Sequence, residues 1–313
     1  MTKRVAITGA TGFVGRHLLR QCLVAGWQVR ILSRNTQKAR SISDKIEIFE
    51  GDLIDRNVNL AAFLAEQDVL IHCAGEIKDE SKMPRLHVEG CQRLIEAASR
   101  RVKHWVHLSS VGVYGRPMVG LVTEESMQCP VSIYEQTKAQ SDALVLAAAQ
   151  KGAFEYSILR PSTVYGLDMP NQSLRSLICA VKKGRFFFIG KPGAQTYYIH
   201  VEDVAAAMVA CIVNPNARNR IYILSHQCSI EELVMIIDAT LKRNITYKRL
   251  PIGLAKLIAS VCYILPGFPL TVSRVNALTT RVIYDNSKIA RELQISPKIS
   301  LCEGLRELVF AEI

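Results

Sequence analysis

No two of the nine cysteines stand at Cys-x-x-Cys spacing: Cys22, Cys73, Cys91, Cys129, Cys179, Cys211, Cys228, Cys262 and Cys302 are scattered along the chain. That scatter argues against a zinc site, and no metal is expected. The odd count fits reduced thiols rather than a disulfide framework. There is no low-complexity tract and no internal repeat. The most apolar stretch, Ile252–Leu265, is broken by Lys256 and ended by Pro266, Gly267 and Pro269. As a helix it would span only ~21 Å, short of the ~30 Å hydrocarbon core of a bilayer. It reads as a packed or substrate-covering helix, or as a peripheral membrane contact lying in the interface. A secretory signal is not expected. Lys3 and Arg4 precede an apolar run, but Val5–Thr8 is short and enters a glycine turn. The expected location is cytoplasmic.

What is present is an ordinary globular composition of 313 residues, 49% hydrophobic and 21% charged. This suits one large α/β domain, or a main domain with a smaller partner. The net charge of +11 is spread over pairs such as Arg100-Arg101, Lys182-Lys183, Lys242-Arg243 and Lys248-Arg249. It reads as a solvated basic surface, or as attraction for an anionic cofactor, substrate or membrane. No recognition motif accompanies it that would point to nucleic acid. Short β-rich runs alternate with helical patterns: strands at Arg4–Thr8, Gln28–Ser33, Ile46–Phe49, Asp68–Cys73, Val102–Leu108 and Tyr156–Leu159, and helices at Phe13–Ala25, Met83–Ser99 and Val131–Gln150. Such alternation implies parallel strands with right-handed crossovers. After about residue 165 it loosens into a helix at Asn171–Lys183, a strand at Ile221–Leu224 and a capped helix at Ser229–Leu241.

The first strand-to-helix turn is Thr8-Gly9-Ala10-Thr11-Gly12-Phe13-Val14-Gly15. Its glycines allow a tight turn and close approach to a pyrophosphate, and the helix N-terminus behind them offers free N–H groups. Tyr134 and Lys138 are four apart on one helix face. A phenol with pKa near 10 is a poor base at neutral pH, but a neighbouring ammonium and a cationic nicotinamide would lower it. Tyr134 could then exchange a proton with an alcohol or ketone as hydride moves. Tyr284 and Lys288 form a second Tyr-x-x-x-Lys copy, far past the sheet-forming region, which is not expected to be catalytic.

Together with Leu108-Ser109-Ser110-Val111-Gly112-Val113-Tyr114-Gly115, these segments resemble the short-chain dehydrogenase/reductase superfamily, in its extended branch that includes nucleotide-sugar epimerases, the NAD-dependent epimerase/dehydratase family. The resemblance covers most of the chain and is strongest over residues 4–165. It implies a Rossmann-type, doubly wound parallel sheet: an NAD(P)-binding domain at 1–165 and a smaller substrate-binding region at 166–313, partly interleaved with the sheet.

The resemblance also assigns roles. Ser110, Tyr134 and Lys138 form the catalytic set, with Ser110 orienting the substrate oxygen and Lys138 also holding the nicotinamide ribose. Gly9, Thr11, Gly12, Phe13, Val14 and Gly15 line the cofactor turn. Asp52 and Leu53 match the adenine-contacting turn, Cys73-Ala74-Gly75 the turn along the cofactor, and Pro161 and Thr163 the segment flanking nicotinamide and substrate. The second strand ends Ser33-Arg34-Asn35, without the acid that binds an NAD ribose; Arg34 could meet a 2′-phosphate, so NADP is favoured over NAD.

Val111 and Gly112 stand where sugar-nucleotide dehydratases carry an Asp-Glu pair, which weakens a dehydratase reading. His87 replaces a frequent Asn and is either a relay group or a satisfied helix histidine. Asp203 is expected to cap a helix, and Arg274 and Arg281 are candidates to clamp a diphosphate. The expected substrate is a hydroxyl/ketone pair in a nucleotide-sugar. The alternatives are a lipophilic alcohol, as in hydroxysteroid dehydrogenases, or a cofactor-binding scaffold without turnover, which the intact Ser110, Tyr134 and Lys138 argue against. A homodimer is implied by the resemblance alone.

Overall fold

The computed structural model describes residues 2–261 and 270–311. Seven strands form the central sheet: β1 (Arg4–Thr8), β2 (Gln28–Ser33), β3 (Glu47–Glu50), β4 (Val69–His72), β5 (His104–Leu108), β6 (Glu155–Pro161) and β7 (Arg220–Leu224). Their spatial order is β7-β6-β5-β4-β1-β2-β3, and every pairing is parallel. The helices used below are α1 (Phe13–Val24), α2 (Gly90–Ala98), α3 (Ile133–Gln150), α4 (Ser173–Lys182), α5 (Val201–Val213), α6 (Ile230–Thr240), α7 (Ile252–Val261) and α8 (Leu301–Ala311).

Strand alternation divides the core into two layers. Val5 and Ile7 of β1 and Val69 and Ile71 of β4 face α1 and α5, where they meet Leu18, Leu19, Cys22, Val204, Met208 and Cys211. Ala6, Leu70 and Trp105 point the other way, onto Cys91 and Leu94 of α2 and Val145 of α3. Both faces are covered, which is why the strands read as continuous apolar runs. A third cluster joins α4, α6 and α8 through Ile178, Leu233, Ile237, Leu305 and Leu308. Gly304 of α8 lies directly on Tyr165, where a Cβ would overlap the phenol ring.

Three expectations are corrected in detail. Residues 83–99 are not one α-helix: Pro84–Glu89 forms a wide π turn that passes into α2, with Gly90 N–H bonded to Arg85 O five residues back. Asp203 does not cap α5. His200 does, and the Asp203 carboxylate instead accepts from the backbone N–H groups of Lys298 and Ile299, at 2.9 and 3.3 Å. The apolar helix at 252 is seen to Val261; its expected continuation to 265 lies outside the described residues.

A buried ion pair fixes α3 to the sheet. Asp142 Oδ2 accepts from Arg160 Nε of β6 at 3.0 Å and from Ser109 Oγ at 2.8 Å. Arg160 Nη1 donates to the Tyr114 hydroxyl at 2.7 Å. Asp142 and Arg160 are almost completely buried. Burial pushes the Asp142 carboxyl up, and Arg160 opposes it. Removing one member of such a pair strands the other charge. Asp142→Ala is therefore expected to lose about 3–5 kcal/mol of stability, measured as a shift of the urea midpoint at constant slope.

Candidate active site

The strand order reverses between β1 and β4, and the crevice outside their carboxyl ends is where doubly wound sheets collect ligands. Gly9 has φ +75°, and a Cβ there would sit 2.5 Å from Ala74 N. The glycine turn therefore rests directly on the Cys73-Ala74-Gly75 turn, joined by Cys73 N–H to Thr8 O at 3.1 Å. At Gly15 a Cβ would overlap the Gly9 carbonyl oxygen, so α1 can begin against the turn only without a side chain there. The N-cap of α1 is Gly12, and no side chain caps the helix. Its leading N–H groups are thus left for an anion, the arrangement a dinucleotide pyrophosphate needs. Val14 packs into the first core layer and Cys73 beside it, so the turn is anchored from below. Burial pushes the Cys73 thiol up to about 12, which keeps it protonated. The Phe13 ring leans outward onto Gly166 and the third cluster, while Thr11 is half-buried on the turn.

Tyr134 and Lys138 both lie on α3, which opens with a capping box in which Ser132 and Glu135 satisfy each other's backbone N–H groups. Ser110 stands at the head of a 3₁₀ turn after β5; its hydroxyl accepts from Gly112 N–H at 3.1 Å and lies beside the Tyr134 hydroxyl, whose ionised form it favours. The structure thus brings the serine and tyrosine together across 24 residues of chain. Lys138, one helical turn on, is buried and donates from Nζ to Leu108 O at 2.6 Å. Burial pushes its ammonium down, against the Asp142 carboxylate. In the protein alone, burial pushes the Tyr134 phenol up and the Ser110 hydroxyl opposes it, while the Lys138 ammonium is held by the Leu108 carbonyl; the expected fall also calls on the charge of a bound nicotinamide. Pro161 closes β6, and Thr163 begins the short strand Thr163–Tyr165, both at the carboxyl end of the sheet.

At the far end of the crevice, Arg34 is largely exposed and lies 3.4 Å from Asp52 Oδ2, while Asp52 Oδ1 accepts from Ile54 N–H. Leu53 is buried against Gly90. The second Tyr-x-x-x-Lys copy is broken across two elements. Tyr284 ends the strand Arg281–Tyr284 and is buried, whereas Lys288 lies on a separate helix, 3.5 Å from Glu125. Arg281 does not face a ligand site: its guanidinium donates to the carbonyl oxygens of Lys191, Pro192 and Gly193. Arg274 is exposed on the short helix Val272–Ala277.

His87 is a satisfied histidine. Its Nε2 accepts from Glu76 N–H at 2.8 Å, which leaves Nδ1 to carry the proton and donate to Thr137 Oγ1 at 2.8 Å. Burial lowers its pKa to about 3, so the ring is neutral. It stands edge-on to the Tyr134 ring, 5.8 Å between centroids.

Sequence reasoning missed the layer beneath. His72 pairs with Thr8 Oγ1 at 2.7 Å, and His107 receives the Trp105 N–H at Nδ1, so its Nε2 proton faces Asp142 Oδ1, 3.4 Å away. Burial pushes both rings below the usual histidine range. Asp142 had a signal: it continues the Tyr134, Lys138 spacing by another four residues. The histidines had none, because the groups that orient them are brought in by other elements, Thr8 of β1 for His72 and Asp142 of α3 for His107.

The family model for the NAD dependent epimerase/dehydratase family matches residues 5–224. UDP-glucose 4-epimerase of Vibrio cholerae is 26% identical, over 98% of this chain and 94% of its own. 3beta-hydroxysteroid-dehydrogenase/decarboxylase isoform 2 of Arabidopsis thaliana is 24% identical, over 97% of this chain and 61% of its own. Among solved structures, UDP-glucuronic acid 4-epimerase from Bacillus cereus in complex with NAD superposes with a TM-score of 0.75 at 22% identity, covering 97% of this chain and 96% of that one. The glycine turn at the switch point, the parallel sheet around it and the match across most of its length agree: this chain belongs to the NAD-dependent epimerase/dehydratase family, within the extended short-chain dehydrogenases/reductases.

Proposed function

We propose that the protein interconverts a hydroxyl and a ketone, with Tyr134 as acid and base and Ser110 holding the reacting oxygen. The supporting observation is that the Ser110 and Tyr134 hydroxyls come together at the carboxyl end of the sheet, one helical turn from Lys138. A substrate oxygen placed between them receives a donor from either. When bound, a nicotinamide cofactor supplies or accepts the hydride, and in its oxidised form adds a positive charge that opposes the upward shift of the phenol. Tyr134 then passes its proton to a ketone oxygen or takes one from an alcohol. Lys138 would hold the cofactor ribose, and the buried Asp142 favours the charged form of its ammonium.

NADP is the preferred cofactor in this reading. Arg34 is exposed at the end of β2, which itself ends without an acid for a 2′-hydroxyl, and its 3.4 Å contact with Asp52 is long enough to yield to a phosphate. The substrate is a nucleotide-sugar, as for the epimerases to which the chain is similar. Residues 166–313, apart from α5 and β7, supply its binding region. A lipophilic alcohol is the second reading. It is favoured by the tied guanidinium of Arg281 and by the exposed apolar residues Val131 and Ile133 just before Tyr134.

Tyr134→Phe is expected to lower turnover about 10²–10⁴-fold while cofactor affinity, read by nucleotide fluorescence, stays unchanged; unimpaired turnover would remove Tyr134 from the mechanism. Arg34→Ala should weaken NADPH binding about tenfold or more through loss of a charge-assisted contact and leave NADH binding unaltered; equal effects on both would remove Arg34 as the basis of the preference. A binding screen of UDP-sugars, dTDP-sugars and sterols on NADPH-loaded protein decides between the two substrate classes.

A further inference from the structure

Helix α7 is amphipathic in reverse. Its small residues Ala255 and Ala259 form the buried seam, against Ile189, Leu270 and Val275. Its large residues Leu254, Leu257 and Val261 point outward and are 46%, 60% and 65% exposed. Their spacing of three and four residues places them within about 60° of one another on the helix surface. A helix that only packed on the protein would bury the leucines and expose the alanines. The outward stripe adjoins a second apolar face. In the small sheet formed by Val119–Val122 and Arg281–Tyr284, Val282 and Tyr284 turn inward while Val119, Leu121 and Ile283 are exposed. Arg281 extends from that exposed side to the 191–193 loop, and neighbouring Gly190 supports Ile252 at the start of α7.

The charge of the molecule is segregated around this surface. Segments 169–201 and 241–284 are joined by the parallel pairing of Phe188–Ile189 with Arg249–Leu250. Together they hold 12 of the 39 Lys and Arg and none of the 28 Asp and Glu, so the remainder, 27 basic against 28 acidic residues, has a net charge of −1. All of the excess positive charge lies in these two segments. Lys256 stands on α7 at the edge of the stripe, and Lys191, Lys248 and Arg281 are exposed on the elements beside it. The carboxylates that reach in come from α6: Glu231 pairs with Arg249 at 2.7 Å, and Asp238 accepts from the Tyr247 hydroxyl.

We propose that α7 and its basic surround form a docking face for an anionic phospholipid bilayer. The helix lies in the interface, with Leu254, Leu257 and Val261 among the acyl chains and the lysines at headgroup level. No helix among the described residues is long and apolar enough to cross a membrane, so the contact is peripheral. A second copy of the chain fits this surface poorly. A twofold interface would bring the same basic segments face to face, with like charges repelling. A nucleic acid would match the charge, but not an aliphatic stripe without an aromatic for base stacking.

The test is co-sedimentation with vesicles of phosphatidylcholine alone and of phosphatidylcholine with phosphatidylglycerol. The protein should bind the anionic vesicles and be released as salt is raised. The combined variant Leu254→Gln, Leu257→Gln, Val261→Gln should bind about tenfold less or weaker still, with its thermal midpoint little changed because these side chains lie outside the buried seam of Ala255 and Ala259. Val24→Gln, at an apolar position 89% exposed on α1, should bind as the parent does. The proposal is overturned by absence of binding to anionic vesicles, by undiminished binding of the combined variant, or by a parent dimer that this variant converts to monomer. No turnover is needed for this readout, so its failure would leave the redox reading untouched, and the converse holds.

Discussion

One buried carboxylate organises the region under the candidate site. Asp142 is reached by Arg160 from β6, by Ser109 from the end of β5, and through space by Lys138 from its own helix. Each contact fixes a different element: the strand whose end carries Pro161, the loop that presents Ser110, and the helix that carries Tyr134. The separation of Ser110 from Tyr134 is thereby set from below rather than by the crevice itself. Arg160 is suited to this role because its fork can engage Asp142 and Tyr114 at once. A lysine would present a single point of charge and leave one partner unpaired.

The charge state of this layer follows from the same burial. His72, His87 and His107 are all kept neutral, and each has its ring nitrogens oriented by a defined neighbour. The charge of Lys138 acts on all three rings, and burial pushes its ammonium down. Asp142 opposes that shift. A dinucleotide arriving at the glycine turn therefore meets a site whose polar groups are already oriented, with little reorganisation left to make.

Local regularities were legible in the chain. The glycine turn announces itself by position, directly after the first apolar run and before the first helix. Tyr134 and Lys138 announce themselves by helical spacing, and Ser229 and Glu232 by the capping pattern at the start of α6. What could not be read depends on distant partners. Asp203 looks like a helix cap because it stands in a first turn, but its acceptors are used by residues 95 and 96 positions later. Tyr284 and Lys288 satisfy the same spacing as the candidate pair, and only the strand pairing with Val119–Val122 shows that they sit on separate elements. The reversal of α7 was hidden because apolar periodicity does not say which face of a helix meets the protein.

The strand order has a consequence for biosynthesis. The outer partner of β6 is β7, and the cover for one sheet face is α5, both encoded well after β6 itself. As the chain leaves the ribosome, the gap between residues 161 and 224 lasts roughly 3–13 s at ~5–20 residues per second. Until β7 is made the nascent sheet has an unpaired edge at β6, and until α5 is made one of its faces is covered only by α1. Those are the two features that invite aggregation, so chaperone engagement would be needed at this one stage of synthesis more than at any later one.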